Sequence, residues 1–180
     1  MASLQLVPIF CGQQAGLVAP LGARLAALLG LEVVVHEATF DAEVAFDVDR
    51  GQYNTRVLLA RLLQHADPKA PRLLGLTAVD LFIPVLTFVF GEAELGGRAA
   101  IVSTFRLENE LYGLPPDPAL CFERLVKESV HELGHLFGLV HCQRSSCVMA
   151  SSNYVEGIDL KAASYCDRCL GQVRRQLGGR

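Results

Sequence analysis

Three of the five histidines of this chain lie within eleven residues, and their spacing constrains the fold more than any other feature. His131 and His135 are four residues apart, so on a helix they project from one face and can bind the same metal ion. Gly138 can end that helix because glycine tolerates a positive φ, and the chain can then return His141 to the same ion. The pattern predicts a helix that carries a metal site near its C-terminal end.

Glu132 is the candidate catalytic residue. It directly follows the first histidine, a position typical of a general base acting on a metal-activated water rather than of a ligand. Three histidine ligands also leave one coordination position open, as catalytic zinc requires. The bare H-E-x-x-H pattern fits an amphipathic core helix as well, whereas Gly138 and His141 at these offsets favour the metal site. Met149 is expected in a turn beneath the metal; its alternative role is to fill a gap in the core.

Four cysteines near the C-terminus indicate a second metal site. Cys142 and Cys147 form one pair, and Cys166 and Cys169 form another, with a spacing typical of structural zinc. Two disulfides or scattered reduced thiols are the alternatives, and a cytoplasmic chain would not keep the disulfides. Zinc would order the segment between the pairs, which holds few large apolar residues.

Length and composition predict one domain spanning residues 1–180, because half of the residues are apolar (51%) and can form a sizeable core. Gly138 would separate an upper lobe, residues 1–138, from a lower lobe, residues 139–180. A net charge of −3 argues against a nucleic-acid partner. The N-terminus lacks a basic signal-peptide region, and no apolar run could span a membrane. We therefore expect a cytoplasmic monomer.

Hydrophobic periodicity predicts an α+β fold with an α/β-like N-terminal part. A helix over Gly16–Leu29 separates two apolar strands that should pair in parallel, and the second of them is expected to be buried. The predicted strands are Leu4–Phe10, Leu31–Val35, Leu73–Val79 and Ala99–Phe105. Two further helices are predicted, one from Asn54 to about His65 and one from about Pro118 to Leu136, with Asp117 as the cap of the second.

Two other segments matter for the site. Asp41–Tyr53 is polar and turn-rich and is expected to be an exposed loop. Val85–Phe90 is aromatic and β-branched and is predicted to be a strand. That strand would be either a sheet edge that pairs with an extended peptide or an ordinary core strand. Tyr154 and Tyr165 are weaker candidates for stabilising an oxyanion.

These residues together resemble the archaemetzincins, zinc metallopeptidases of the metzincin clan. The resemblance rests on H-E-L-G-H-L-F-G-L-V-H-C from His131, on C-V-M from Cys147, and on C-x2-C from Cys166. The runs F-V-F-G-E-A from Phe88 and R-G-Q-Y from Arg50 are also similar to that family. The similar region extends from about residue 50 to about residue 170.

The resemblance implies a metzincin-like catalytic domain with a twisted mixed sheet, helices, an active-site helix and a small zinc-bound C-terminal lobe. It also implies two zinc ions per chain, one catalytic and one structural. The catalytic ion would be held by His131, His135 and His141, and the structural ion by Cys142, Cys147, Cys166 and Cys169.

The residues and the resemblance together predict hydrolysis of peptide bonds in peptide or protein substrates, with a zinc-activated water and Glu132 as general base. The alternative is a non-catalytic, zinc-stabilised peptide-binding module. A blocked cleft, or a His141 that does not reach the metal, would favour it. Hydrolysis of a non-peptide amide would use the same residues.

Overall fold

The computed structural model describes residues 3–37, 40–65 and 67–178. The strands are β1 (Ser3–Pro8), β2 (Glu32–Val35), β3 (Phe46–Asp47), β4 (Gln52–Asn54), β5 (Leu73–Thr77), β6 (Leu81–Phe82), β7 (Gly91–Ala93) and β8 (Ala99–Ser103). The helices are α1 (Val18–Leu29), α2 (Thr55–His65), α3 (Pro118–Leu136), α4 (Val155–Leu160) and α5 (Asp167–Gln176). None of these helices has the length and apolar run that crossing a membrane requires.

The main sheet is mixed and five-stranded, with the order β2-β1-β5-β8-β7. Its first four strands are parallel, and β7 pairs with β8 in the antiparallel sense at one edge. The parallel pairing of β1 and β2 on either side of α1 confirms the prediction. A smaller three-stranded sheet has the order β3-β4-β6. The mixed sheets with helices also confirm the predicted α+β class.

Helices cover the main sheet on both faces. Alternate residues of its strands point to opposite faces, so both sets are buried. Leu4 and Leu6 of β1 join the core cluster that contains residues of α1 and α3. Val7 and Ile9 join the other cluster, which contains residues of α2. This two-sided burial explains why the central strands are nearly continuous apolar runs. It also fixes α3 against the sheet.

Helix α3 occupies the predicted range. Asp117 caps it by accepting a hydrogen bond from the backbone N–H of Leu120 (2.9 Å), and Pro118 occupies its first turn. Near its N-terminal end, Arg124 donates two 2.7 Å hydrogen bonds to the carboxylate of Asp159, which lies in α4. This ion pair joins α3 to the C-terminal part of the chain.

One sequence expectation about burial is wrong, and another holds only in part. Strand β2 is not buried: Val34 and Val35 are about half exposed (49% and 48%), because β2 is the sheet edge opposite β7. Asp41–Tyr53 is not simply an exposed loop. It contains a short 3₁₀ turn that buries Ala42 and Ala45, followed by β3 and the start of β4.

The expected strand at Val85–Phe90 is also wrong. Val85 and Leu86 lie in an exposed turn, and Val89 makes only an isolated bridge to Leu81. Side-chain hydrogen bonds hold this loop in place: Arg50 donates to the Leu86 carbonyl (3.1 Å) and Gln52 to the Thr87 carbonyl (3.1 Å). The edge strand begins immediately afterwards, at the first residue of β7.

Candidate active site and metal centres

The structure brings the three predicted histidines together. His131 and His135 lie in α3, and their Nε2 atoms are 3.1 Å apart. The His141 ring centroid is 5.3 Å from that of His131 and 5.1 Å from that of His135. Each ring offers one nitrogen, and these three nitrogens lie within 4.8 Å of one another. That separation suits a single small cation.

Two backbone carbonyls determine which imidazole nitrogens remain free for a metal. His131 Nδ1 lies 2.8 Å from the Val148 carbonyl oxygen, and His135 Nδ1 lies 2.7 Å from that of Leu139. A carbonyl only accepts, so each Nδ1 must carry the proton and each Nε2 keeps a lone pair. Burial, followed by the charge of Lys161, lowers the pKa of His131 to about 3, which keeps the ring neutral.

Two bare nitrogen lone pairs at 3.1 Å repel each other unless a cation lies between them. Nitrogens bound to one tetrahedral zinc at about 2.0–2.1 Å would be separated by roughly 3.3 Å. The donor atoms, their tautomers and their spacing therefore fit zinc. Backbone hydrogen bonds at the second ring nitrogen are also typical of metal-bound histidines.

The chain leaves α3 through a turn that needs glycine. Gly138 has φ +79°, and Gln172 of α5 donates a 3.0 Å hydrogen bond to its carbonyl. The backbone N–H groups of Gly138 and Leu139 donate to the carbonyls of His135 and Gly134, at 2.9 and 3.0 Å. This turn reverses the chain and returns His141 to the other two rings.

Met149 lies directly beneath α3 and is fully buried. A Cβ atom on Gly134 would overlap the Met149 sulfur and would lie 3.1 Å from Cε1 of Tyr165. Only glycine allows the helix to lie this close to the methionine. The same turn supplies the Val148 carbonyl that orients His131. Met149 therefore packs against α3 at Gly134, between the two histidines of the helix in sequence.

Glu132 lines the same cavity as the three histidines. The cavity has a volume of about 450 Å³ and opens to solvent, and the Glu132 side chain is almost completely buried in its wall. Burial, and then the nearby charge of Glu128, raises the pKa of Glu132 well above its usual value. A carboxylate with raised proton affinity in the same cavity as three candidate metal ligands is suited to taking a proton from water.

Gly91, at the start of β7, makes room for the Glu132 side chain. A Cβ atom on Gly91 would lie 2.6 Å from the Ile101 carbonyl oxygen, 2.8 Å from Glu132 Cγ and 2.9 Å from Glu132 Oε1. Real Cβ atoms do not approach other atoms this closely. The edge strand thus fixes the position of the carboxylate by direct contact.

We expect Gly91→Ala to lower kcat about 100-fold while the zinc content is unchanged. The added methyl group meets the Ile101 carbonyl oxygen and Glu132, so β7 and the Glu132 side chain must shift, and a shift of about 1 Å costs about that much. Peptide turnover and zinc content would be measured on the purified variant. Gly16→Ala is the matched control, since a Cβ there meets nothing within 4 Å. A Gly91→Ala protein with wild-type kcat would show that this contact does not position the carboxylate.

The four C-terminal cysteines form a second cluster. The sulfurs of Cys142, Cys147, Cys166 and Cys169 lie within 4.8 Å of one another, and none of them is in a disulfide. The Sγ atoms of Cys142 and Cys166 are 3.8 Å apart, which is about the separation of two thiolates on one tetrahedral zinc. A hydrogen bond from the Cys169 backbone N–H is the main factor that lowers the pKa of Cys166 to about 7, which favours the thiolate. The cluster therefore fits zinc.

The two clusters are joined through the turn that contains Met149. The backbone N–H of Cys142 donates a 2.8 Å hydrogen bond to the Met149 carbonyl, and Cys142 directly follows His141. The backbone N–H of Val148 donates to the Ser164 carbonyl, close to the second cysteine pair. A few backbone hydrogen bonds thus connect the cysteine cluster to the turn that contains Val148 and Met149.

The structure adds cavity residues that the sequence did not indicate. Glu92, Glu128 and Lys161 line the cavity together with the histidines. No spacing rule identifies them, because they come from β7, α3 and the end of α4. The predicted oxyanion candidates do not reach the cavity: the Tyr165 hydroxyl donates to the Val130 carbonyl at 2.7 Å, and Tyr154 is largely exposed and is not a lining residue.

Comparisons with known proteins agree on one family. The sequence profile of peptidase family M54 matches residues 25–175. The archaemetzincin of Methanocaldococcus jannaschii is 43% identical over 130 residues, which are 72% of this chain and 70% of that protein. The crystal structure of archaemetzincin from Methanopyrus kandleri superposes with a TM-score of 0.84 at 39% identity, covering 98% of this chain and 95% of that one. The zinc-dependent peptidase of Methanocorpusculum labreanum superposes with a TM-score of 0.81 at 31% identity, covering 95% of this chain and 100% of that one.

Proposed function

Because the chain belongs to peptidase family M54, the archaemetzincins, and is a zinc metallopeptidase, we propose that it cleaves peptide bonds with Glu132 as general base. One observation carries the proposal: Glu132 lies in the wall of the cavity into which the three histidines project. We further propose two zinc ions per chain. His131, His135 and His141 would hold the catalytic ion, and Cys142, Cys147, Cys166 and Cys169 the structural ion.

Zinc, when bound at the histidines, would acidify a water molecule and polarise the carbonyl of the peptide to be cleaved. The chain's own residues would transfer the protons and position the peptide. Glu132 takes a proton from the attacking water and later delivers it to the departing amine. Strand β7 lies at the sheet edge and lines the cavity, so its free backbone groups can pair with an extended peptide. The Glu132 side chain is almost completely buried, which limits its own contact with bulk water.

The remaining sequence predictions belong to the same proposal. Residues 1–138 would form the upper lobe and residues 139–180 the lower lobe, with the cavity between them. The protein would act as a cytoplasmic monomer on peptides or proteins, without a nucleic-acid or membrane partner. The net charge of −3 supports the absence of a nucleic-acid partner.

No observation favours the alternative of a non-catalytic peptide-binding module. The two features that would have favoured it were a blocked cleft and a remote His141. The cavity opens to solvent, and His141 lies beside His131 and His135. The module therefore remains only as an outcome of the following experiment.

We expect His135→Ala to hold one zinc fewer than the wild type, falling from two to one, and to lose peptide turnover, because two nitrogens cannot retain the ion. Metal content by mass spectrometry and cleavage of a mixed peptide library would be measured together. His65→Ala is the matched control, since His65 is exposed and bonded to the Arg61 carbonyl. A wild type with two zinc ions and no cleavage of any peptide would favour the binding module. A His135→Ala protein with full zinc content would contradict the histidine site.

A further inference from the structure

A buried ion pair lies in the wall of the cavity beside the proposed catalytic residue. Lys161 Nζ is 2.8 Å from Glu128 Oε1, and it also donates a 3.2 Å hydrogen bond to the Ala150 carbonyl. Lys161 is only 2% exposed and Glu128 only 4%. Both side chains nevertheless line the cavity. Removing two charges from bulk solvent is costly, and only close pairing and further hydrogen bonds offset that cost.

The direction of β7 relative to α3 locates this pair along a bound peptide. Gly91 contacts Glu132, and the N–H of Gly96, just after β7, donates a 2.8 Å hydrogen bond to the His135 carbonyl. The edge strand and the helix therefore run in the same direction along the cavity. A peptide that pairs antiparallel with β7 runs the opposite way, from the His135 end toward the Glu128 end.

Glu128 lies one helical turn before Glu132. A peptide with this direction places the residues that follow the cleaved bond on the Glu128 side of the cavity. The first residue on that side, P1′, would thus direct its side chain toward Glu128 and Lys161. The cavity lining also contains Ser151, Ser152 and Asn153, which directly follow the Ala150 carbonyl that Lys161 binds. The hydroxyl of Ser152 is buried and has no hydrogen-bond partner within the described part of the chain.

The chemistry of the pair discriminates among side chains. A carboxylate would be attracted by Lys161 and repelled by Glu128. An ammonium group would be attracted by Glu128 and repelled by Lys161. Either would add an unbalanced charge to a largely buried site. An apolar side chain would displace water and leave polar groups of the pair unpaired. A neutral carboxamide can donate to Glu128 and accept from Lys161 at the same time.

We propose that the Glu128–Lys161 pair is the specificity determinant for the residue after the cleaved bond, and that it selects glutamine or asparagine there. This inference rests on the proposed peptidase function and on the antiparallel pairing of substrate with β7.

The test uses four fluorescent peptides that differ only at P1′, with Gln, Glu, Lys or Met, and the zinc-loaded full-length protein. We expect kcat/KM for the Gln peptide to exceed that of each of the others about 10- to 100-fold. Binding of the same peptides by fluorescence anisotropy should show the same order. Equal values within about 3-fold, or a preference for any other residue, would overturn the proposal.

The double variant Glu128→Met with Lys161→Met tests the pair itself. It leaves no lone buried charge and keeps side chains of similar length, so the fold should survive. We expect its preference to change from the Gln peptide to the Met peptide. An unchanged preference for Gln would assign selectivity to other residues and refute the role of the pair.

The two readouts separate this proposal from the peptidase function. Anisotropy that favours Gln, without cleavage of any peptide by the wild type, would support the subsite while refuting peptide hydrolysis. Cleavage without a preference at P1′ would support peptide hydrolysis and refute the subsite. The absence of both binding and cleavage would count against both.

Discussion

Glu132→Gln is expected to lower kcat by about 10²- to 10⁴-fold while the zinc content of the protein stays unchanged. The carboxamide has the size of the carboxylate, so the contact with Gly91 and the surrounding wall are preserved. It cannot take a proton from water, however, and the base is lost. Steady-state cleavage of a peptide substrate and metal content by mass spectrometry would be measured on the same preparation.

Glu92→Gln is the matched control for this experiment, because Glu92 is another carboxylate that lines the same cavity. It accepts a hydrogen bond from Thr55 and lies 3.9 Å from Arg56, so it already has partners of its own. We expect its kcat to change less than about 10-fold. If Glu132→Gln retained more than a tenth of the wild-type kcat, another group would have to be the base.

Cys147→Ser is expected to remove at least one zinc ion per chain and to lower the melting temperature strongly. Structural zinc contributes roughly 10–16 kcal/mol in small zinc-binding peptides. Losing even a third of that, about 4 kcal/mol, would lower Tm by about 8–16 °C in a domain of this size. The backbone links from the cluster to Met149 and Val148 should then loosen, so the histidine site would also bind zinc less tightly.

Cys121→Ser is the control for the cysteine prediction. Cys121 is another buried cysteine, but it lies in α3 outside the cluster. Its replacement should lower the stability only by the free energy of burying a hydroxyl group, and it should leave the zinc content unchanged. Thermal unfolding followed by circular dichroism and zinc content would be compared for the two variants. Equal melting temperatures and equal zinc content would show that the cluster does not hold a structural ion.

The sequence anticipated features that depend on residues close together in the chain. The bounds of α3 follow from a proline, a capping aspartate and helical periodicity, all of which act within a few residues. The four-residue spacing of His131 and His135 puts them on one helix face wherever the helix packs. The turn at Gly138 is likewise local, because its positive φ suits glycine and closes the helix.

Predictions that depended on neighbours distant in sequence were less successful. Strand β2 has the composition of a buried strand but lies at the sheet edge, which only the order of the strands reveals. Val85–Phe90 has strand-forming residues, yet hydrogen bonds from Arg50 and Gln52 hold it as a loop. The true edge strand, β7, is defined by its antiparallel pairing with β8, and Gly91 at its start closely approaches Glu132.

The sequence by itself thus determined the family resemblance, the active-site helix and the two sets of candidate metal ligands, because these depend on residue type and short spacing. The tertiary structure alone decided which nitrogens of His131 and His135 stay free, since the carbonyls of Val148 and Leu139 orient the rings. It also decided that Glu128 and Lys161, 33 residues apart, pair in one cavity wall. Such contacts arise from the packing of whole elements, and no local pattern in the chain encodes them.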